Sequence, residues 1–154
     1  MHQLAFASLT WREAPMPGAS PVQMALLPKL PDGAFRAFVR FPAGWSRPDV
    51  GHYAVAEEFL VLEGGIGLNG RKWKTGELAW IPAWTVRRDL QSASGCLVFA
   101  WFGGTPRWIP GKPAQPAGGP RNRTSIDRGE LVRLTAGVRE TLNLADYAWR
   151  ASPP

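Results

Sequence analysis

Cysteine is almost absent from this sequence. Cys96 is the only one, so no disulfide can form within the chain, and its apolar neighbours Leu97 and Val98 predict a buried thiol. The sequence also lacks an apolar run of about twenty residues and a basic-then-apolar leader. These absences exclude a disulfide-stabilised domain and a transmembrane helix, and they predict a soluble, cytoplasmic protein without a membrane partner.

Charged residues are also sparse, at 19% of the chain, although the net charge is +6. The basic residues are scattered, and the densest clusters, Arg71–Lys74 and Arg121–Arg123, hold only two or three charges each. No helix-turn-helix, zinc-finger or RNA-recognition pattern accompanies them. The charge therefore indicates a solvated basic surface, and we expect no nucleic-acid partner.

Glycine, proline and tryptophan are abundant instead. The 17 glycines and 15 prolines exceed a fifth of the 154 residues, which favours short strands and turns over long helices. The eight tryptophans and seven phenylalanines need burial in a core, a ligand cavity or an interface. Core packing is the simplest explanation for any single tryptophan.

Short apolar stretches between turn residues predict strands. These strands are Ala5–Trp11, Val22–Leu27, Ala34–Phe41, Glu57–Leu62, Leu78–Ile81, Leu97–Phe102 and Leu131–Leu134. Asn69-Gly70 predicts a hairpin, Thr105–Pro120 is too rich in proline and glycine for regular structure, and one helical turn is expected near Leu142–Tyr147. Strands at this spacing, without helical periodicity, predict an all-β barrel or sandwich.

Two spaced motifs lie in the strand-rich region. The spacing of Gly44, Val50, His52, Glu57 and Gly64 resembles the first cupin motif, G-x5-H-x-H-x4-E-x6-G, at every interval. The segment that begins at Gly76 and continues through Pro82 to Arg87 resembles the second motif, G-x5-P-x-G-x2-H. The resemblance covers residues 33–103.

This resemblance implies the cupin fold, an all-β double-stranded β-helix with a jelly-roll-like barrel. The arm and the tail lie outside the resemblance, and we expect an N-terminal arm with short strands at 1–32, a barrel core at 33–104 and an irregular, Pro/Gly-rich loop and C-terminal tail at 105–154. Among cupins, the chain looks most like small single-domain bacterial proteins related to the acetylacetone-cleaving dioxygenases and to the cupin half of zinc anti-sigma factors.

The resemblance also raises the question of a metal. In cupins, the motif histidines and glutamate hold Fe, Mn, Ni or Zn. This sequence keeps His52 and Glu57 but has Val50 and Arg87 at the other two ligand positions, and its second histidine, His2, lies at the terminus. Two ligands seldom hold a divalent ion tightly, and a guanidinium repels a cation. We expect a degenerate site with no functional metal, or with Fe, Mn, Ni or Zn at low occupancy.

The exchange of histidine for arginine suggests a binding site for an anion. A charged Arg87 in an apolar barrel needs a partner, which is either Glu57 or an anionic group of a ligand. Strand alternation predicts that residues 50 and 52 point into the barrel mouth, with Glu57 reaching in from the neighbouring strand. The aromatic side chains expected at the ligand are Trp45, Tyr53, Phe59, Trp84 and Trp101.

The leading hypothesis is a cupin that binds a small organic anion without a cofactor. If it is an enzyme, the reaction is a metal-free isomerisation, cyclisation, dehydration or lyase step, with His52 as general base, Glu57 orienting it and Arg87 stabilising an oxyanion. Two alternatives stay open: a metal-dependent dioxygenase with an unrecognised third ligand beside His52 and Glu57, and a non-catalytic sensor or scaffold. We also expect a homodimer in which residues 1–30 or the tail lie against a neighbouring barrel.

Overall fold

The computed structural model describes residues 3–5, 8–28, 31, 33–122 and 141–143. His2, the predicted strand Leu131–Leu134 and residues 144–147 of the predicted helical turn lie outside the described residues. The remainder of that turn is wrong, because Leu142 and Asn143 belong to a strand.

The described residues form short antiparallel strands joined by turns, as the content of glycine and proline predicts. The strands are β1 (Gln3–Ala5), β2 (Arg12–Met16), β3 (Ala19–Leu26), β4 (Phe35–Phe41), β5 (Trp45–Arg47), β6 (Gly51–His52), β7 (Glu57–Leu68), β8 (Arg71–Lys74), β9 (Leu78–Ile81), β10 (Leu90–Ser92), β11 (Cys96–Phe102), β12 (Ile109–Pro110), β13 (Arg121–Asn122) and β14 (Thr141–Asn143).

The main sheet has the order β13-β9-β7-β11-β4-β3-β2 and curls into a half-barrel. Strand β7 is shared: its first part pairs with β9 and β11, and its second part pairs with β8 and touches β10, which pairs with β5. Gly64 lies at the transition with φ 72°, and a Cβ there would collide with the backbone oxygen of Gly95. The all-β fold predicted from the sequence is confirmed.

The hairpin predicted at Asn69-Gly70 is confirmed. Strands β7 and β8 pair Leu68 with Arg71 across it, and φ is 53° at Asn69 and 78° at Gly70. Positive φ at both central residues is the requirement of a type I′ turn, which asparagine and glycine meet most easily. The Asn69 side chain also donates to the carbonyl of Val86 at 2.6 Å, so the turn is anchored to the segment that carries the second motif.

The N-terminal arm lies against its own barrel in this structure. Strand β3 pairs with β4 from Gln23↔Arg40 to Leu26↔Ala37, and β2 pairs with β3. Sequence patterns miss β2 because Pro15 is typical of turns. The predicted strand Ala5–Trp11 is wrong at residues 8–11, which are not extended into a strand.

Alternation along the central strands separates two apolar clusters. One face of the sheet buries Val39, Phe59, Val61, Val98 and Phe102 inside the barrel. The other face buries Phe38, Leu60, Phe99 and Trp101, and Leu9 and Trp11 of the arm pack against it. Because successive side chains on a strand point to opposite faces, one set of strands supplies both the barrel interior and the layer beneath the arm.

Among the described residues there is no helix with the length and apolar character needed to cross a membrane.

Candidate functional site

A cavity of about 450 Å³ lies inside the barrel. Its apolar lining includes Phe35, Val39, Phe59, Ile81, Val98 and Phe102. Exposed residues of the same lining come from the β2–β3 hairpin and from the segment after β11, namely Pro15, Pro17, Thr105 and Arg107. Polar groups inside are few, which is the usual composition of a small-molecule pocket.

Glu57 and Arg87 meet in this cavity. Glu57 begins β7, and Arg87 is held by a backbone bridge in which its N–H donates to Gly51 O at 2.8 Å and its carbonyl accepts from Gly51 N at 3.2 Å. Arg87 Nη1 donates to Glu57 Oε2, and both side chains are buried. The sequence left open whether Arg87 pairs with Glu57 or with a ligand, and the structure shows the pair with Glu57.

That ion pair uses only one nitrogen of the guanidinium. Nε and Nη2 of Arg87 are buried, and neither has a hydrogen-bond partner among the described residues. Their N–H groups lie along one edge of the planar guanidinium, and this open edge has the fork geometry that binds a carboxylate or phosphate through two parallel hydrogen bonds. Unmade hydrogen bonds on a buried charged group are costly. The open edge of Arg87 is therefore suited to an anion.

Tyr53 connects Arg87 to a second arginine. The Arg87 Cζ lies 4.6 Å from the centre of the Tyr53 ring, and Arg47 Nη1 donates to the Tyr53 hydroxyl at 3.4 Å. Trp108 contacts the same tyrosine edge-on, with 5.5 Å between ring centres. Tyr53 and Trp108 both line the cavity. Arg87 thus lies at an aromatic end of the cavity.

Arg47 was missed by the sequence analysis. It is 1% exposed, its Cζ lies 4.0 Å from the centre of the Trp108 ring, and its Nε and Nη2 have no hydrogen-bond partner among the described residues. The sequence did contain a pattern that indicates its burial. Arg47 lies two residues after Trp45 in a short strand, so the two side chains share a face. An inward-facing tryptophan therefore indicates an inward-facing arginine.

His52 does not belong to the cavity lining, in contrast to the expected inward orientation of residues 50 and 52. Its ring is buried elsewhere: Nδ1 lies 2.9 Å from Gly111 O, and the ring centre lies 5.8 Å from that of Trp84. Val50 is 37% exposed. Tyr53, the residue that follows strand β6, lines the cavity instead.

Of the five aromatic residues predicted at the ligand, two line the cavity and three do not. Tyr53 and Phe59 line the cavity. Trp45 is buried beside it, with Nε1 donating to Ser20 O at 2.7 Å, and Trp101 faces the opposite side of the sheet. Trp84 is 46% exposed and has φ 66°, a left-handed backbone that is rare for a bulky residue.

The donor atoms do not fit the cupin metal site. Across residues 8–28 and 33–122, the structure has no cluster of three or more histidine, cysteine, aspartate or glutamate side chains. Glu57 already accepts from Arg87, and His52 is absent from the cavity lining. A fixed guanidinium bonded to the candidate carboxylate opposes a cation there by charge.

No family model matches the sequence, and no curated protein matches it. Solved structures do match. A candidate dioxygenase from Nostoc punctiforme is 18% identical with a TM-score of 0.62, and the match covers 80% of this chain but only 45% of that one. A candidate acetylacetone dioxygenase from Methylibium petroleiphilum is 17% identical with a TM-score of 0.60, covering 75% of this chain and 85% of that one.

An acetylacetone dioxygenase from Acinetobacter johnsonii is 14% identical with a TM-score of 0.54, covering 65% of this chain and 78% of that one. These three proteins share one fold, and the resemblance inferred from the two motifs is confirmed at the level of that fold. At such low identities, the likeness carries no activity across to this chain.

Proposed function

Because this chain has the cupin fold, we propose that it binds a small organic anion inside the barrel, without a metal or other cofactor. The observation that supports this proposal is the open edge of Arg87. A buried guanidinium with two parallel, unpaired N–H groups in an apolar cavity is a preorganised receptor for a carboxylate or a group of similar shape. Tyr53 and Phe59 supply aromatic walls beside it.

A purely structural ion pair explains less. Pairing with Glu57 balances the charge of Arg87 but leaves Nε and Nη2 without partners among the described residues. A pair that served only as internal support would gain from satisfying them too, since each unsatisfied buried donor costs about 1–3 kcal/mol. An anion bound at the open edge would accept hydrogen bonds from both Nε and Nη2 of Arg87.

If the ligand is also a substrate, the side chains here favour metal-free proton transfer, such as an isomerisation, cyclisation, dehydration or lyase step. Arg87 would stabilise an oxyanion, and the carboxylate of Glu57 lies within hydrogen-bonding distance of Arg87. The role of His52 as general base stays a prediction, and it requires His52 to reach a cavity that it does not line.

Titration calorimetry with keto acids, aromatic acids and aliphatic acids tests the proposal. Arg87→Lys should weaken binding although charge is kept, because lysine cannot make a planar two-point contact. Arg87→Met should remove about 2–5 kcal/mol of binding free energy, roughly 30-fold or more in Kd. The matched control is Arg88→Met, since the Arg88 side chain is 60% exposed. Failure of every acid to bind the wild type, or equal binding by Arg87→Met, would overturn the proposal.

Assembly as a homodimer and a cytoplasmic location stay predictions. Light scattering at micromolar concentration tests the first. A monomer, unchanged when the arm is deleted, would contradict it.

A further inference from the structure

The shape of the cavity narrows the class of ligand, and this inference depends on the anion-binding function proposed above. We propose that the ligand is a monocarboxylate with an elongated apolar body, in which the carboxylate binds the open edge of Arg87 and the body lies along the strands.

Strand register gives the length of the cavity. Glu57 is opposite Phe102, and Phe102 is opposite Phe35, so these residues mark the level of the ion pair. Val98 lies four residues from Phe102 on β11 and is opposite Val39. A strand rises about 3.2–3.4 Å per residue, so four residues extend the cavity about 13 Å from the level of the ion pair.

The charges lie at one end of this length. The charged residues that line the cavity are Glu57, Arg87 and Arg107. Arg107 precedes Trp108, whose ring contacts Tyr53, and Tyr53 in turn lies under Arg87. All three charges therefore belong to the aromatic end.

The distant walls are apolar and adaptable. They include Met24, Val39, Ile66 and Val98, and methionine can follow the shape of different chains. A second charge at this end of a ligand would be buried without a partner. A doubly charged phosphate is also less suitable than a carboxylate, because Glu57 already cancels the charge of Arg87. One negative charge and an uncharged body are the best match.

The homologous series from butanoate to dodecanoate, measured by calorimetry on the full chain, tests the inference. Each buried methylene should lower Kd about three- to fourfold. A carbon–carbon bond of about 1.5 Å advances an extended chain by about 1.25 Å, so the gain should end near ten carbons. Decanedioate should bind at least tenfold more weakly than decanoate, and octan-1-ol more weakly than octanoate.

Two filling variants locate the body of the ligand. Val98→Phe fills the cavity from the buried strand β11, and Ala14→Phe fills it from strand β2. Because Ala14 is only partly buried, Ala14→Phe should fold even if Val98→Phe does not. Either folded variant should lose affinity for decanoate by more than tenfold and keep its affinity for butanoate. Melting curves establish which variants are folded.

The outcomes separate the two proposals. If short and long carboxylates bind equally well through Arg87, the elongated class is wrong and anion binding stands. If affinity rises with chain length but Arg87→Met binds as well as the wild type, the series reports adsorption to apolar surface, and both proposals are wrong. If no carboxylate binds, the proposed function itself fails.

Discussion

The guanidinium of Arg47 lies over the indole ring of Trp108, with 4.0 Å between Arg47 Cζ and the ring centre. The same guanidinium donates to the hydroxyl of Tyr53. Arg47 is not part of the cavity lining, but the two aromatic side chains that it contacts, Tyr53 and Trp108, are. Arg47 therefore contacts both aromatic side chains at this end of the cavity.

Burial should strengthen this contact between arginine and tryptophan. A double-mutant cycle on Arg47→Leu and Trp108→Leu should give a coupling of about 1–2 kcal/mol in the free energy of unfolding. Arg40 and Trp11 form a matched pair at 4.7 Å in which the arginine is exposed, and their coupling should be about 0.5 kcal/mol. Urea denaturation measures both. Equal coupling in the two pairs would show that burial adds nothing.

The ion pair inside the barrel should behave as a unit. Removing one partner from a buried pair costs about 3–5 kcal/mol, because the other charge is left buried alone. Arg87→Met and Glu57→Gln should each lower the melting temperature substantially, and the double variant should recover part of the loss. Arg88→Met should change stability by less than about 1 kcal/mol, since its pair with Asp89 is exposed. Large single losses with rescue, and no acid bound by the wild type, would make Arg87 purely structural.

Gly51 should be intolerant of any side chain. A Cβ there would collide with the indole of Trp108 and lie 2.8 Å from the carbonyl oxygen of Ile109. Gly51→Ala should therefore displace this segment and lower stability by about 1–3 kcal/mol, the usual cost of overpacking. Gly118→Ala is the control, because a Cβ there meets nothing within 4 Å. Thermal melting that gives equal values for the two variants would show that the Trp108 contact is easily rearranged.

The single thiol should be inert in the folded protein. Burial raises the pKa of Cys96 from 9.0 to about 12, so the reactive thiolate is scarce at pH 8. Iodoacetamide should modify Cys96 only after unfolding. Because the folded state holds this proton more tightly, stability should fall as pH rises from about 9 to about 12, relative to Cys96→Ala. Rapid labelling of the native protein at pH 8 would contradict this.

Metal content gives an independent check on the site. Elemental analysis of protein purified without added metal should find Fe, Mn, Ni and Zn well below one equivalent, because Glu57 is engaged by Arg87 and Val50 supplies no lone pair. Close to one equivalent of any of them, lost in His52→Ala, would restore the dioxygenase alternative.

Local signals in the sequence were sufficient for much of the barrel. Asn69-Gly70 predicted the hairpin because both residues readily adopt the positive φ that a type I′ turn requires, and the apolar runs of β9 and β11 predicted buried strands. The orientation of His52 was not accessible in this way. Strand β6 has only two residues, too few for alternation to define a face, and the bridge from Gly51 to Arg87 sets that face instead.

The outermost strand of the main sheet, β2, also affects how folded molecules meet one another. Pro15 lies in this strand and has no N–H to offer a neighbouring chain, and its register with β3 shifts between Ala14 and Met16. An edge that is interrupted in this way is a poor template for adding strands from other molecules. The hairpin that forms part of the cavity wall therefore also protects the native protein against growth into ordered fibrils from that edge.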